Sequence, residues 1–395
     1  MPLPPLRLKK NEERRLRAGH LWVFSNEVDV AQTPLSAFAP GDAVELQDAH
    51  GRALGSAYVN PRSLICARLI SRAPGRVLDA ALLAERLQRA LALRERLFPR
   101  PFYRLAFGES DGLPGLIADR FGDVLVLQLT TAGMDRARDA VLAALERVLQ
   151  PAGVLLRNDT GSRALEELPR AVEVAAGTVP DAVEIEENGV RFRAPLAGGQ
   201  KTGWFYDHRQ NRARLQAYAP GARVLDVFSY VGGWGVQAAA AGAAHVLCVD
   251  SSAAALAEVQ HNAALNGVAA RVATRQGDAF ELLRALRDAG ERFDVVVLDP
   301  PAFIKRRKDQ AQGEQAYRRV NQLAMELLQR DGILVSASCS FHFSREALRD
   351  AMLRASRALH RELQLLEEGH QGPDHPVHPA IPETAYLKAL FGRVG

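Results

Sequence analysis

Several short segments in the second half of the chain carry residue types that can do chemistry. In "LDVFSYVGGWG" (225–235) a Gly-rich turn directly follows an apolar run and precedes an Ala-rich one. Gly232, Gly233 and Gly235 let a backbone come close to a ligand, as in nucleotide fingerprints at a strand-to-helix turn. The next apolar run ends in Asp250, about 20 residues on, where doubly wound folds hold ribose hydroxyls. Asp226 precedes the turn. A carboxylate there repels a pyrophosphate and suits a cationic ligand bearing an amino group, so S-adenosylmethionine fits better than a nicotinamide dinucleotide. A third acid, Asp278 in "RQGDAFELL" (275–283), is placed to meet an adenine amino group. Singly, each of these residues is equally a turn or a helix cap. The ordered set of three acids points to a nucleoside.

"VVVLDPPAF" (295–303) ends a buried-strand pattern in Asp299, Pro300 and Pro301, with Phe303 close behind. The prolines hold the chain extended, so the Asp299 carboxylate can face a planar base while an aromatic covers it. "FIKRRK" (303–308) adds Lys305, Arg306, Arg307 and Lys308 on the same loop. Such runs are commonly just solvated, but at the carboxyl edge of a sheet they can clamp phosphates. "LVSASCSFHFS" (334–344) places Cys339 after the following strand pattern. A lone cysteine there reads first as a small buried hydrophobe. Beside a methyl donor and a base-binding loop it reads as a nucleophile. C5 of cytosine reacts poorly with electrophiles until a thiolate adds to C6 and makes C5 enamine-like, whereas an exocyclic nitrogen needs no such help. His342 follows, either as a base near the thiol or as a surface histidine at a helix start; the second reading is preferred.

These residues need a parallel sheet to bring them to one edge. From about residue 190, continuously apolar runs alternate with helical stretches such as 253–265 and 314–329. That pattern predicts a doubly wound (Rossmann-like) α/β domain over 190–395. Upstream, "GDAVELQDAHGRALGSAYVNPRSLICARLIS" alternates apolar and polar positions between turn residues, so 1–72 reads as a small β domain. Residues 73–103 hold a connecting helix (77–98) stopped by Pro99 to Pro101, and 104–189 form a small α+β domain. The chain has 395 residues, is 47% hydrophobic and carries 50 basic against 46 acidic residues, so it has room for more than one core and weakly favours an anionic partner. Three widely spaced cysteines, Cys66, Cys248 and Cys339, give neither a disulfide framework nor a metal-binding pair, and suit a reducing cytoplasm. Cys66 and Cys248 read as packing residues. The N-terminus lacks an apolar stretch behind its basic residues and no apolar run approaches 18 residues, so export and membrane spanning are disfavoured.

On these motifs the chain resembles, over essentially its whole length, the RlmI-type 23S rRNA cytosine-C5 methyltransferases. "GHLWVFSNEV" (19–28) and "GSAYVNPRSLICARL" resemble that family's N-terminal PUA domain, and "GESDGLPGLIADRFGD" (108–123) the start of its central α+β domain. "GGQKTGWFYDHRQNR" (198–212), "DVFSYVGGWG", "VDSS", "HNAALNG", "DPPAF", "SCS" and "DHPVHPAIPETAYLK" resemble its catalytic domain in the same order. The resemblance implies a class I methyltransferase domain using S-adenosylmethionine, a PUA domain that grips RNA, and 23S rRNA or its assembly intermediate as partner. It further implies that Lys201, Thr202, Asp207 and Arg209 line the donor pocket. Asp226, Phe228, Tyr230, Gly232, Gly233, Asp250, Asp278 and Asp299 would surround the donor. Asp299 would also hold the cytosine edge, and Cys339 would be the nucleophile. No metal is implied, and a homodimer is left open. After "SCS" the chain departs from the family in Phe341 and His342, which stand where smaller residues are expected. Three alternatives stay open: methylation of a guanine or adenine nitrogen in rRNA, a non-catalytic RNA-binding assembly factor, and, poorly supported, a nicotinamide dehydrogenase.

Overall fold

The computed structural model describes residues 2–199 and 202–395, and its contacts divide the chain into two units. The first comprises Met1–Val183, Pro195–Trp204 and Pro373–Thr384. It opens with a five-stranded sheet in the order Pro5–Arg7, Asp42–Gln47, Ala53–Val59, Ile65–Ser71, Trp22–Phe24. The first pair is parallel and the other pairs are antiparallel. Leu6, Leu46, Val59 and Cys66 fill its core. The predicted connecting helix runs Ala80–Leu97 and starts where the Asp79 side chain accepts from Leu82 N–H at 2.8 Å. Its Leu83 and Leu87 pack into a second core with Leu105, Leu127 and Leu156, under a second five-stranded sheet. In that sheet Val124–Leu129 and Gly153–Arg157 are parallel, joined through the helix Arg138–Leu149, as a parallel pair requires a crossover.

Two short segments inside the span expected for the catalytic domain, 195–204 and 373–384, group with the first unit. Buried arginines draw them there. Arg157 donates to the carbonyls of Leu196 and Gly199. Arg94, fully buried and paired with Asp111, donates to the Asp374 carbonyl, while the Asp374 carboxylate accepts from Arg104 N–H. Each contact satisfies a group that would otherwise be stranded away from water.

The second unit is built on one seven-stranded sheet: β1 (Arg223–Val227), β2 (His245–Asp250), β3 (Val272–Gln276), β4 (Phe293–Leu298), β5 (Leu328–Ser338), β6 (Leu363–His370) and β7 (Lys388–Val394). Its helices are α1 (Arg209–Leu215), α2 (Gly235–Ala240), α3 (Ala253–Leu265), α4 (Ala279–Asp288), α5 (Gln310–Leu327) and α6 (Arg345–Ala358). The strand order is β3-β2-β1-β4-β5-β7-β6, with β1 to β5 parallel and β7 antiparallel to both neighbours. This is the predicted doubly wound class. Val295 to Leu298 are at most 1% exposed, as expected of strands covered on both faces. Side-chain caps at Ser252, Asp278 and Ser344 start α3, α4 and α6. Chain order reverses between β1 and β4, and the carboxyl ends on either side of that switch point form the edge where doubly wound folds bind ligands. The sequence pattern did not single out β7. All but one of its residues are buried, so it shows no alternation. Among the described residues no helix is long and apolar enough to cross a membrane.

Candidate active site

The end of β1 delivers Asp226 beneath the Gly-rich turn, not into it. The side chain is fully buried; Oδ2 accepts from Gly235 N–H at 2.8 Å, and among the described residues Oδ1 has no partner. Burial pushes this carboxyl up to about 7, with the Gly235 N–H opposing and the nearby Asp299 and Asp250 carboxylates adding to the rise. Gly235 has a packing reason to be glycine. A Cβ there would lie 2.5 Å from Cys248 Sγ on β2 and 3.0 Å from Asp226 Oδ2, so the close approach of α2 to the sheet excludes a side chain. Gly232 adopts φ +84°, and a Cβ would come within 2.9 Å of Val236 Cγ2. Phe228 (φ 66°) and Tyr230 (φ 49°) are left-handed without being glycine, a strain that a bulky residue holds only where its surroundings enforce it. The enforcement is visible: Ser229 N–H donates to the Val249 carbonyl at 3.0 Å, and Tyr230 N–H to Asp250 Oδ2 at 2.9 Å. Asp250 Oδ1 accepts from Ser252 N–H at 2.9 Å. The half-buried carboxylate thus stands fixed at the strand end with lone pairs remaining for a diol.

Asp299 follows directly on β4, on the other side of the switch point. Its Oδ1 lies 3.2 Å from His208 Nε2, and its Oδ2 accepts from Trp234 Nε1–H at 3.0 Å. Burial alone would raise this carboxyl, but His208, the hydrogen bond to it and the Trp234 N–H together hold it below the usual carboxylate range. It therefore stays ionised, and 23% of its side chain remains exposed. His208 packs edge-on against the Trp234 ring at 5.1 Å, and Phe205 meets Tyr230 at 5.6 Å. Asp207 and Arg209 flank His208. Buried Asp207 accepts from the Tyr386 hydroxyl, and its carbonyl accepts from Gly372 N–H at 3.0 Å. Arg209 stands 3.6 Å from Glu187 and over the Tyr206 ring. Both anchor the segment that presents His208 to Asp299.

Cys339 follows β5, the strand next to β4, and is partly exposed, whereas Cys66 and Cys248 are fully buried. The two serines around it set its direction. Ser338 donates to the Tyr317 hydroxyl at 2.8 Å, and Ser340 Oγ meets the same hydroxyl at 2.9 Å. Both neighbouring serines are buried and turned to Tyr317 on α5, and of the three residues Cys339 alone keeps partial exposure. Tyr317 is itself fixed by stacking on Phe343 at 4.3 Å. From β7, the buried Lys388 donates through Nζ to the Ser340 carbonyl at 2.6 Å. Phe303, expected to cover a base, is half-buried in a run of rings, 4.9 Å from Tyr317 and 6.1 Å from Phe280.

The edge of the sheet thus brings together Asp226, Phe228, Tyr230, Gly232, Gly233, Asp250 and Asp299 of the expected set, with Cys339 one strand farther along. Asp278 is exposed and caps α4 by accepting from Glu281 N–H at 3.1 Å. Lys305, Arg306, Arg307 and Lys308 are all exposed, with Arg306 paired to Asp309 at 3.2 Å. His342 is exposed, its ring 5.3 Å from Phe341. Thr202 lies in the first unit, where its hydroxyl donates to Asp119 at 2.5 Å, and Lys201 lies outside the described residues. His208, Trp234, Tyr317 and Lys388 were not anticipated as site residues. His208, Trp234 and Lys388 all lie within motifs of the family resemblance, beside residues with more evident chemistry. The site suits a nucleoside: a fixed, half-buried acid, Asp250, at the end of β2 and a strained loop beside it. Among the described residues no cluster suited to a metal ion occurs.

Comparison with known proteins finds matches over nearly the whole chain. Residues 115–393 match the family model of S-adenosylmethionine-dependent methyltransferases, and residues 6–72 match a PUA-like domain. The protein named ribosomal RNA large subunit methyltransferase I from Cronobacter sakazakii is 38% identical over 389 residues, covering 97% of either chain. Its counterpart from Shewanella denitrificans is also 38% identical, over 98% of this chain and 99% of its own. Among solved structures, a protein from Streptococcus mutans described as a SAM-dependent methyltransferase shares the fold, with TM-score 0.83 and 21% identity over 99% of this chain and all of its own. A second structure, a methyltransferase-type protein complexed with SAH, gives TM-score 0.85 with the same identity and coverage.

Proposed function

The chain belongs to the S-adenosylmethionine-dependent methyltransferase family that includes ribosomal RNA large subunit methyltransferase I, and from that premise we propose that it forms 5-methylcytidine in large-subunit ribosomal RNA with Cys339 as nucleophile. The observation that carries the reading is a partly exposed cysteine between two serines held inward on Tyr317, just past the end of β5 and beside the strand whose end Asp299 follows. A methyltransferase acting on an exocyclic nitrogen has no use for a thiol so presented.

In this reading the Cys339 thiolate adds to C6 of the ring, forming the S–C6 bond while the C5=C6 electron pair moves toward C5 and N3. The ionised Asp299 accepts from the exocyclic amino N–H and so orients the ring for attack, and His208 and Trp234 hold that carboxylate in place. When bound, S-adenosylmethionine supplies an electrophilic methyl on its sulfonium, with Asp250 at the ribose and the 228–235 turn against the rest of the donor. C5, once methylated, gives up its proton to a base, and the ring pair returns to break the S–C6 bond and release the thiolate. Buried under the turn, Asp226 supports that loop through its bond from Gly235 N–H. The exposed Lys305, Arg306, Arg307 and Lys308 provide a sequence-independent grip on phosphates beside the base.

Mapping methylated nucleotides in 23S rRNA from a strain lacking the protein tests the assignment. Loss of one 5-methylcytidine, restored by the wild-type gene and not by Cys339→Ser, is expected. Loss of a methyl from a guanine or adenine nitrogen, with Cys339→Ser fully active, would replace it with nitrogen methylation.

A further inference from the structure

Lys388 is 6% exposed, and among the described residues no carboxylate pairs with it. Its register partner on β5 is Ser338, and its Nζ donates to the Ser340 carbonyl at 2.6 Å. The lysine therefore spans the tripeptide Ser338-Cys339-Ser340, held to one end by the β ladder and to the other by its ammonium. A buried ammonium normally has an anion near it, because a lone buried charge costs several kcal/mol. Among the described residues the polypeptide supplies none as a carboxylate. What it supplies at this point is a thiol that can ionise.

We propose that Lys388 is a positioning residue whose ammonium holds Cys339 as a thiolate, the form able to attack. The proposal rests on the reading of Cys339 as nucleophile, and goes beyond it by assigning the charge that activates the thiol. Burial lowers the Lys388 ammonium to about 8, the Cys339 thiolate pulls it back up and Arg345 lowers it further, so most of it remains charged at pH 7. The other groups around this point do not replace it. Tyr317 on α5 is raised above its ordinary value by burial first and stays neutral. Arg345 on α6 is engaged with Glu368 and the Gly369 carbonyl. His370 on β6, the register partner on the far side, turns its Nδ1 to the Gln371 carbonyl at 2.7 Å. The sign is simple: a positive neighbour favours the charged form of the thiol, lowers its pKa and raises the thiolate fraction at neutral pH.

The test is the pH dependence of iodoacetamide alkylation at Cys339 in the full-length protein, read by mass spectrometry; Cys66 and Cys248 are fully buried. Lys388→Gln keeps a hydrogen-bond donor for the Ser340 carbonyl and removes the charge, while Lys388→Arg keeps the charge. We expect the midpoint for Lys388→Gln to rise by about one pH unit or more, which slows alkylation at pH 7 about tenfold, and Lys388→Arg to stay near the wild type. A Lys388→Gln profile superimposed on that of the wild type overturns the proposal. Should the variant not fold, thiolate absorbance of the wild type measured against Cys339→Ser decides. A midpoint below the ordinary value of about 8.5 supports the proposal, and one at or above it overturns it. Neither readout uses RNA, so an active Cys339→Ser enzyme would refute the covalent reaction while leaving the pairing of Lys388 with Cys339 intact.

Discussion

Replacing Gly235 with alanine places a methyl carbon 2.5 Å from Cys248 Sγ, 3.0 Å from Asp226 Oδ2 and 3.1 Å from Val246 Cγ1. Comfortable contact needs about 3.5 Å or more, so α2 must back away from β1 and β2 by about 1 Å. Both strands lie inside the sheet and cannot yield in its place. Overpacking of this kind costs about 1–3 kcal/mol. Retreat of the helix also stretches the 2.8 Å bond from Gly235 N–H to Asp226, and a hydrogen bond to a charged group contributes about 1.5–3 kcal/mol. Alanine's better helix propensity returns about 1 kcal/mol at most. The clash prevails, with a net loss of about 2–4 kcal/mol. Urea unfolding should show a lower midpoint at unchanged slope, and calorimetry should show weaker S-adenosylmethionine binding because the turn ahead of α2 is dragged with it. Cys248→Ala in the same chain removes the nearest atom, and a double-mutant cycle should recover part of the loss. A Gly235→Ala protein as stable as the wild type, or one that Cys248→Ala does not relieve, would refute the account of this turn.

Asp226 predicts a pH signature. Its folded value of about 7 exceeds the ordinary 3.8, so the unfolded chain releases the proton first. The penalty is absent below about pH 4, grows as pH rises through that window and is complete above about pH 7, where it amounts to about 4 kcal/mol as an upper estimate. Asp226→Asn should unfold at higher temperature than the wild type above pH 7 and lose that advantage below pH 4; parallel curves across the range would contradict this. Asp299→Asn leaves an acceptor for Trp234 but removes the charge facing the base. The turnover number should fall by about 10²–10³-fold, while S-adenosylmethionine affinity changes far less, and unchanged turnover would remove Asp299 from the chemistry. Alanine at Lys305 and Lys308 should weaken RNA binding and reduce the slope of log K against log salt by about one per lost phosphate contact; an unaltered slope would make that loop merely solvated.

What the sequence made legible was chemistry tied to strand ends. Asp226, Asp250 and Asp299 each close an apolar run, so their arrival at one edge followed from the parallel sheet alone. Cys339 was legible for the same reason. His208 and Lys388 were not, because their places depend on pairings far apart in the chain. His208 meets Asp299 across 91 positions, and Lys388 reaches Ser340 only because β7 inserts antiparallel between β5 and β6. The pattern of a fully buried strand carries no alternation from which to infer that insertion. The purpose of the serines around Cys339 was hidden too, since Tyr317 lies a whole helix away. Gly235 was read as room for a ligand, and the structure shows it as room for Cys248.

The central claim, covalent attack by Cys339 on a cytosine ring, is tested most directly with large-subunit RNA carrying 5-fluorocytidine in place of cytidine. Fluorine cannot leave C5 as a proton does, so the last elimination is blocked and the S–C6 bond persists. The account predicts a denaturation-resistant protein–RNA complex that depends on S-adenosylmethionine, with the RNA attached at Cys339 by mass spectrometry, and none with Cys339→Ser. A wild-type enzyme that methylates normal RNA yet forms no such complex, or attaches the RNA elsewhere, would contradict it.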